Sequence, residues 1–243
     1  MPFPSLTSDQ VDVWHTDLVS EGSLRPLLEL LDEGERARAD RFKVEHAYRT
    51  FVISHAFARE VLGQYLGQGP HLLSFRNSAH GKPDLEDGGD LRFNLSHTEG
   101  SAVLAAVRGR EIGVDVERVR HNIDIIELAD RFFSQPEAAW LRSQPVSERH
   151  SAFFACWTAK EAYIKAHGEG LSFPLSAFSV IPRHHGSGAQ LEPLQLNVLS
   201  EAKDSATWSM WQVGLSPELR AALAVEGNSC QVRVARWPPR NGE

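Results

Sequence analysis

The segment Ile112-Gly113-Val114-Asp115-Val116-Glu117 leaves the chain few choices. Apolar β-branched residues alternate with a glycine and two carboxylates, and a strand turns successive side chains to opposite faces. Ile112, Val114 and Val116 are expected on a core face, with Gly113, Asp115 and Glu117 together on the other. Further on, Trp157-Thr158-Ala159-Lys160-Glu161-Ala162-Tyr163-Ile164-Lys165 has helical spacing. Trp157, Glu161 and Lys165 fall at i, i+4 and i+8, on one stripe. A fold that lays this stripe against the end of the strand gathers three carboxylates and one ammonium. Lys160 points off the stripe and is expected on the helix surface or toward a partner.

Carboxylate oxygens with a lysine alongside describe a hard-cation site more than a zinc site. Magnesium takes oxygen ligands and shares its shell with substrate phosphates. The lysine then serves as a point charge on a phosphate. The chemistry this suggests is transfer or cleavage at a phosphate ester or anhydride. Each half also has a plainer reading. Asp-x-Glu on a strand can be a solvated face, and Glu161 with Lys165 can be a helix-surface ion pair contributing about 0.2–0.5 kcal/mol.

With 243 residues the chain holds one large domain or two small ones. A net charge of −7 argues against general nucleic-acid binding. The two cysteines, Cys156 and Cys230, lack paired metal spacing and read as buried small apolar residues in a reducing, cytoplasmic setting. The start, Met1-Pro2-Phe3-Pro4, lacks signal-peptide character, and no apolar run approaches membrane-spanning length.

Along the chain, residues 9–19 read as a strand, 24–31 and 33–42 as short helices, and 45–65 as a long helix closed by glycines. Leu72 to Phe75 reads as a strand, followed by the loop Asn77-Ser78-Ala79-His80-Gly81-Lys82-Pro83 and an acidic loop over 84–90. Residues 91–95, 101–107 and 112–117 read as a three-stranded antiparallel meander. Ser134 is expected to cap a helix over 135–141, and Ser147 the helix carrying Glu161. After Pro174 the pattern is β, at 178–181, 207–213, 219–225 and 232–237. His184-His185 lies in a polar loop without partner ligands, and the last residues read as a tail. Ala39-Asp40-Arg41-Phe42 recurs as Ala129-Asp130-Arg131-Phe132. This echo, ahead of helices bearing Arg59-Glu60 and Lys160-Glu161, suggests two related halves.

Ile-Gly-Val-Asp at 112–115 and Trp-Thr-x-Lys-Glu-Ala-x-x-Lys at 157–165 resemble the signature of the 4'-phosphopantetheinyl transferases. The long single chain resembles the surfactin-synthetase-activating, Sfp-like type. The likeness extends to Gly81-Lys82-Pro83 and Phe93-Asn94-Leu95-Ser96-His97. It implies an α+β fold, a pseudo-dimer of two similar α/β halves (1–110 and 111–243) with the ligand groove between them. It implies Mg2+-dependent transfer of the phosphopantetheine arm of coenzyme A to a serine of an apo carrier protein, releasing 3',5'-ADP. Asp115, Glu117 and Glu161 would hold the metal. Glu161 and Lys165 would be catalytic. Arg38, Arg49, Thr50, Lys82, Ser96 and His97, with Asp115 and Lys165, would contact the coenzyme. Glu35 departs from the family by standing where some members carry a basic residue. Arg118-Val119-Arg120 reads either as an exposed turn or as a positive rim for an acidic carrier protein. Two halves in one chain imply a monomer. The alternatives are a coenzyme- or carrier-binding regulator without transfer activity, and a phosphohydrolase using water.

Overall fold

Two long helices carry large apolar faces, and each face is buried against its own antiparallel sheet. The computed structural model describes residues 5–18, 22–78, 81–168, 173–182, 190–198, 207–228 and 230–238. The elements before residue 110 are β1 (Gln10–Asp17), α1 (Arg25–Leu28), α2 (Glu33–Ala39), α3 (Glu45–Leu66), β2 (Phe75–Asn77), β3 (Pro83–Leu85), β4 (Leu91–Thr98) and β5 (Ser101–Arg108). Then follow β6 (Ile112–Arg118), α4 (Ile125–Phe132), α5 (Gln135–Ser143), α6 (Arg149–His167) and β7 (Phe178–Val180). The chain ends with β8 (Leu191–Leu194), β9 (Leu196–Val198), β10 (Trp208–Val213), β11 (Leu219–Glu226) and β12 (Gln231–Arg236). These form two compact units, one of Met1–Gly109 with Val232–Glu243 and one of Arg110–Gln231. No helix among the described residues is long and apolar enough to cross a membrane.

The two units repeat one topology, as the pseudo-dimer expectation required. In the first, the hairpin β4–β5 receives β1 antiparallel against β5, in a sheet ordered β12-β1-β5-β4. Helix α3 lies on it, and Phe51, Val52, Phe57 and Val61 share one core with Trp14, Leu104 and Ala106. In the second, the hairpin β10–β11 receives β6 against β11, in a sheet ordered β6-β11-β10-β8. Here α6 supplies Ala159, Ala162, Tyr163 and Ala166 to a core with Ala222 and Ala224.

Several local expectations are corrected. The meander over 91–117 does not form, because both edges of β5 are already taken by β4 and β1 and β6 pairs with β11 instead. The predicted strand at 72–75 starts at Phe75, since Pro70–Leu72 winds as a 3-10 turn, and Pro83–Leu85 of the acidic loop pairs with it as β3. Ser147 does not cap α6. It sits in a second 3-10 turn, Val146–Glu148, that runs straight into the helix. β8 and β9 were not legible, and Pro193 within β8 explains why: proline is tolerated only on an edge strand, where β8 lies. Ser134 does cap α5, in a capping box with Glu137. The Ala-Asp-Arg-Phe echo is not matched in place: the first copy begins at the last residue of α2 and runs past it, after a capping box, whereas the second is the last turn of α4, ahead of one. Cys156 is buried and Cys230 only half-buried, and both are free thiols. His184-His185 and residues 239–243 lie outside the described residues.

His55, on α3, stacks on Phe51 with ring centroids 3.8 Å apart, and its Nδ1 is 2.9 Å from the Phe51 carbonyl oxygen. Burial, then the charges of Arg38, His97 and Arg59, hold its pKa down at about 4, although the backbone contact acts the other way. An unfolded chain takes up this proton at higher pH, so the native state loses stability as pH falls from 6.5 toward 4. Urea denaturation at pH 7 and pH 4.5 should show His55→Asn removing about 2 kcal/mol of that loss.

Candidate active site

The site is built where α6 presses on β6. A Cβ added at Gly113 would fall onto the Ala162 carbonyl oxygen and the Ala166 backbone nitrogen, and 3.0 Å from the Ala166 Cα. Only glycine permits this approach. Gly113 pairs with Ala224 and Asp115 with Ala222, so small residues on both strands face the alanines of the helix. Gly113, Asp115 and Glu117 do share a face, but it is not a bare one. Asp115 is only 5% exposed, and Ile112, Val114 and Val116 are buried on the opposite face.

This contact brings the two predicted motifs together. Lys165 Nζ lies 2.6 Å from Asp115 Oδ1. The Glu161 carboxyl has its pKa raised, first by burial and then by the charges of Asp115 and Glu117, while Lys165 opposes the rise. Glu117 meets Arg120 at 3.7 Å, and the Arg120 guanidinium also lies over Phe154. Arg118 pairs with Glu218 at 2.6 Å. Trp157 is on the predicted stripe but belongs to an aromatic cluster, stacked on Phe153 at 5.7 Å and edge-on to Phe132 at 5.8 Å.

Lys160 is the main correction. It is 0% exposed, neither on the helix surface nor available to a partner. Its ammonium donates to both Glu137 oxygens at 2.6 Å and to the Phe178 carbonyl at 2.8 Å. Burial lowers its pKa and the Glu137 carboxylate opposes that. The sequence carried part of a signal for this pair: Ser134-x-x-Glu137 is a capping box, which places Glu137 in the first turn of α5 but does not bury it.

The donor set suits a hard divalent cation. Asp115, Glu117 and Glu161 offer only oxygens, and each negative charge makes the next harder to keep. Among the described residues no three His, Cys, Asp or Glu side chains are arranged to hold a metal ion as they stand. The Lys165 ammonium provides the positive charge beside Asp115.

The other predicted residues lie in the first unit. Arg38 is exposed, its guanidinium 5.1 Å from the Phe51 ring centroid. The charges of Arg38 and His97 both reach His55, so α2, α3 and β4 converge there. Sequence reasoning missed His55; a histidine four residues after an aromatic on an apolar stripe was its only mark. Arg49 reaches Glu45 at 3.3 Å and the Gly22 carbonyl at 3.0 Å, with Thr50 half-buried beside it. Lys82 is held in a tight loop, its amide 3.0 Å from Ser78 Oγ and its carbonyl 2.8 Å from the Ser78 amide. On β4, Ser96 is buried and His97 exposed.

Two family models match the chain. One, described as the 4'-phosphopantetheinyl transferase superfamily, covers residues 111–224. The other, described as 4'-phosphopantetheinyl transferase, N-terminal, covers residues 19–109. The chain is 34% identical over 234 residues to the 4'-phosphopantetheinyl transferase HetI of Nostoc sp., covering 93% of this chain and 92% of that one. It is 35% identical over 146 residues to the 4'-phosphopantetheinyl transferase gsp of Aneurinibacillus migulanus, covering 60% and 59%. It is 34% identical over 155 residues to the 4'-phosphopantetheinyl transferase Sfp of Bacillus subtilis, covering 63% and 66%.

Two outcomes follow from the geometry. Gly113→Ala should cost about 3 kcal/mol in urea denaturation, the upper end for overpacking, because the obstruction is helix backbone. The raised Glu161 pKa means that the native state favours the neutral acid, so its contribution is fully present below pH 4.5 and is lost as pH rises above that value. In buffer free of divalent cations, Glu161→Gln should therefore melt higher than the parent at pH 7 and alike at pH 4. Equal melting temperatures at both would refute the carboxylate repulsion.

Proposed function

Because this chain belongs to the 4'-phosphopantetheinyl transferase superfamily, we propose that the β6–α6 cluster is where it moves the phosphopantetheine arm. The chain is an enzyme that transfers 4'-phosphopantetheine to a carrier protein. On our reading the donor is coenzyme A, the acceptor a serine hydroxyl of an apo acyl or peptidyl carrier protein, and the other product 3',5'-ADP.

The observation that carries this reading is the meeting of Asp115, Glu161 and Lys165 across the Gly113 contact. Asp115, Glu117 and Glu161 would hold Mg2+, which when bound neutralises charge on the diphosphate during transfer. Lys165 neutralises a phosphate oxygen beside Asp115. Glu161 would accept the serine proton. Arg38, Arg49, Thr50, Lys82, Ser96 and His97 would bind the nucleotide end, making residues 1–110 the coenzyme-contacting half and 111–243 the reacting half. A monomer working in the cytoplasm fits the two repeated units and the paucity of cysteine.

Incubating an apo carrier protein with CoA and Mg2+ should add the phosphopantetheine mass in the mass spectrum. Hydrolysed CoA without that gain would point to a phosphohydrolase, and binding without either to a regulator. Glu161→Gln should lower transfer at least about a hundredfold, judged by what loss of a general base costs. Mg2+ should raise the melting temperature of the parent and leave that of Glu161→Gln unmoved. Near-normal labelling by Glu161→Gln would refute the assignment.

A further inference from the structure

Among the described residues, each unit holds one fully buried cation outside the acidic site, and the two are mounted alike. In the second unit, Lys160 of α6 donates to Glu137 and to the Phe178 carbonyl. Glu137 is the third residue of α5, paired in a capping box with Ser134, and its oxygens also accept from the Ser134 amide and hydroxyl and from the Val180 amide, all at 2.8 Å. In the first unit, Arg59 of α3 is likewise 0% exposed. It donates to Asp32 and Glu35, the two members of the capping box that opens α2, and to the carbonyls of Pro70 at 2.8 Å and Leu73 at 2.9 Å. Glu35 precedes Arg59 by 24 residues and Glu137 precedes Lys160 by 23.

The repetition tells the role apart from charge balance. In both units a glutamate follows the buried cation, Glu60 and Glu161. At Glu60 burial is the leading influence and Trp237 the partner, whereas at Glu161 burial is joined by the charges of Asp115 and Glu117. A cation mounted the same way where, among the described residues, no acid pair acts on the next one is there to hold its helix, not to offset the acids.

We propose that Lys160 and Glu137 are positioning residues for the transfer. They fix the rotation of α6 about its own axis, and thereby set the Glu161 carboxylate against Asp115 and Glu117. The proposal rests on the reading of Glu161 given above. Consecutive helix residues point about 100° apart, so anchoring Lys160 in the interior sends Glu161 toward the strand. Turning the helix would pull a fully desolvated ammonium off its three acceptors, which a dry interior penalises strongly. A helix with its side chains has a radius of about 5–6 Å, so a rotation of about 10° shifts a side-chain end by about 1 Å. Misplacement of that size can cost about a hundredfold in rate.

The test is the double variant Lys160→Met with Glu137→Gln, which removes both buried charges while keeping their volumes and so avoids stranding either one. It should fold, with the circular dichroism of the parent. With an apo carrier protein its kcat should fall about ten- to a hundredfold, with KM for CoA unchanged within about twofold. Its thermal shift should need more Mg2+ to reach half-maximum. A folded double variant with the parent's kcat overturns the proposal. Should it not fold, Glu137→Gln alone is read by the same split, and an unchanged kcat there overturns it equally. If Glu161→Gln is inactive while the double variant is fully active, the positioning role fails and the site reading survives. Full activity in Glu161→Gln sinks the site reading and this proposal with it.

Discussion

The second unit is organised by a close approach of backbone to backbone. At Gly113 the strand β6 has no side chain on the face that α6 covers, and the helix backbone occupies the volume a Cβ would need. Ala222 and Ala224 on the neighbouring strand, and Ala159, Ala162 and Ala166 on the helix, continue the same small-residue surface. Short side chains give up buried area in exchange for proximity. On the proposed reading that proximity serves the chemistry: Asp115, two residues along from Gly113, meets Lys165 directly, and its charge and that of Glu117 are felt at Glu161.

Placing like charges together opposes folding, and the structure shows how this is met. Lys165 supplies one positive charge directly at Asp115. The Glu161 carboxyl still feels two negative neighbours and responds with a raised pKa. Such a site is held in its arrangement by packing elsewhere. The aromatic cluster of Trp157, Phe153, Phe132 and Phe133 fills one side of α6. The Lys160–Glu137 pair fixes another, and breaking one half of a pair so deeply buried typically costs about 3–5 kcal/mol. These contacts are independent of the acids and can resist their repulsion.

Much of this was legible in the residues. Alternation marked β6, the i, i+4, i+8 stripe marked α6, and Ser134-x-x-Glu137 marked the start of α5. The long α3 and its glycine stop were read to within a residue or two. What failed were statements about pairing and burial. The meander over 91–117 looked natural because neighbouring strands usually pair, yet β1 and β11 arrive from far along the chain to claim the edges. Lys160 looked like a surface residue because lysine usually is one. The sequence repeat was half informative: the matching tetrapeptides do not correspond, while the basic-acidic pairs Arg59-Glu60 and Lys160-Glu161 do, and the partners of the two cations, Glu35 and Glu137, each stand third in a helix opened by a capping box.

From the amino acids alone came the periodicities, the chemical character of the acidic and basic groups, and the family they resemble, because these depend on neighbours a few residues apart. Which strands share a sheet, which face of β6 the helix covers and where the ammonium of Lys160 goes were decided by tertiary structure. Those outcomes depend on competition for hydrogen-bonding edges and on whether a buried charge finds its counter-charge, here 23 residues away. Local sequence carries the groups; only the folded chain supplies the partners that fix which way they point.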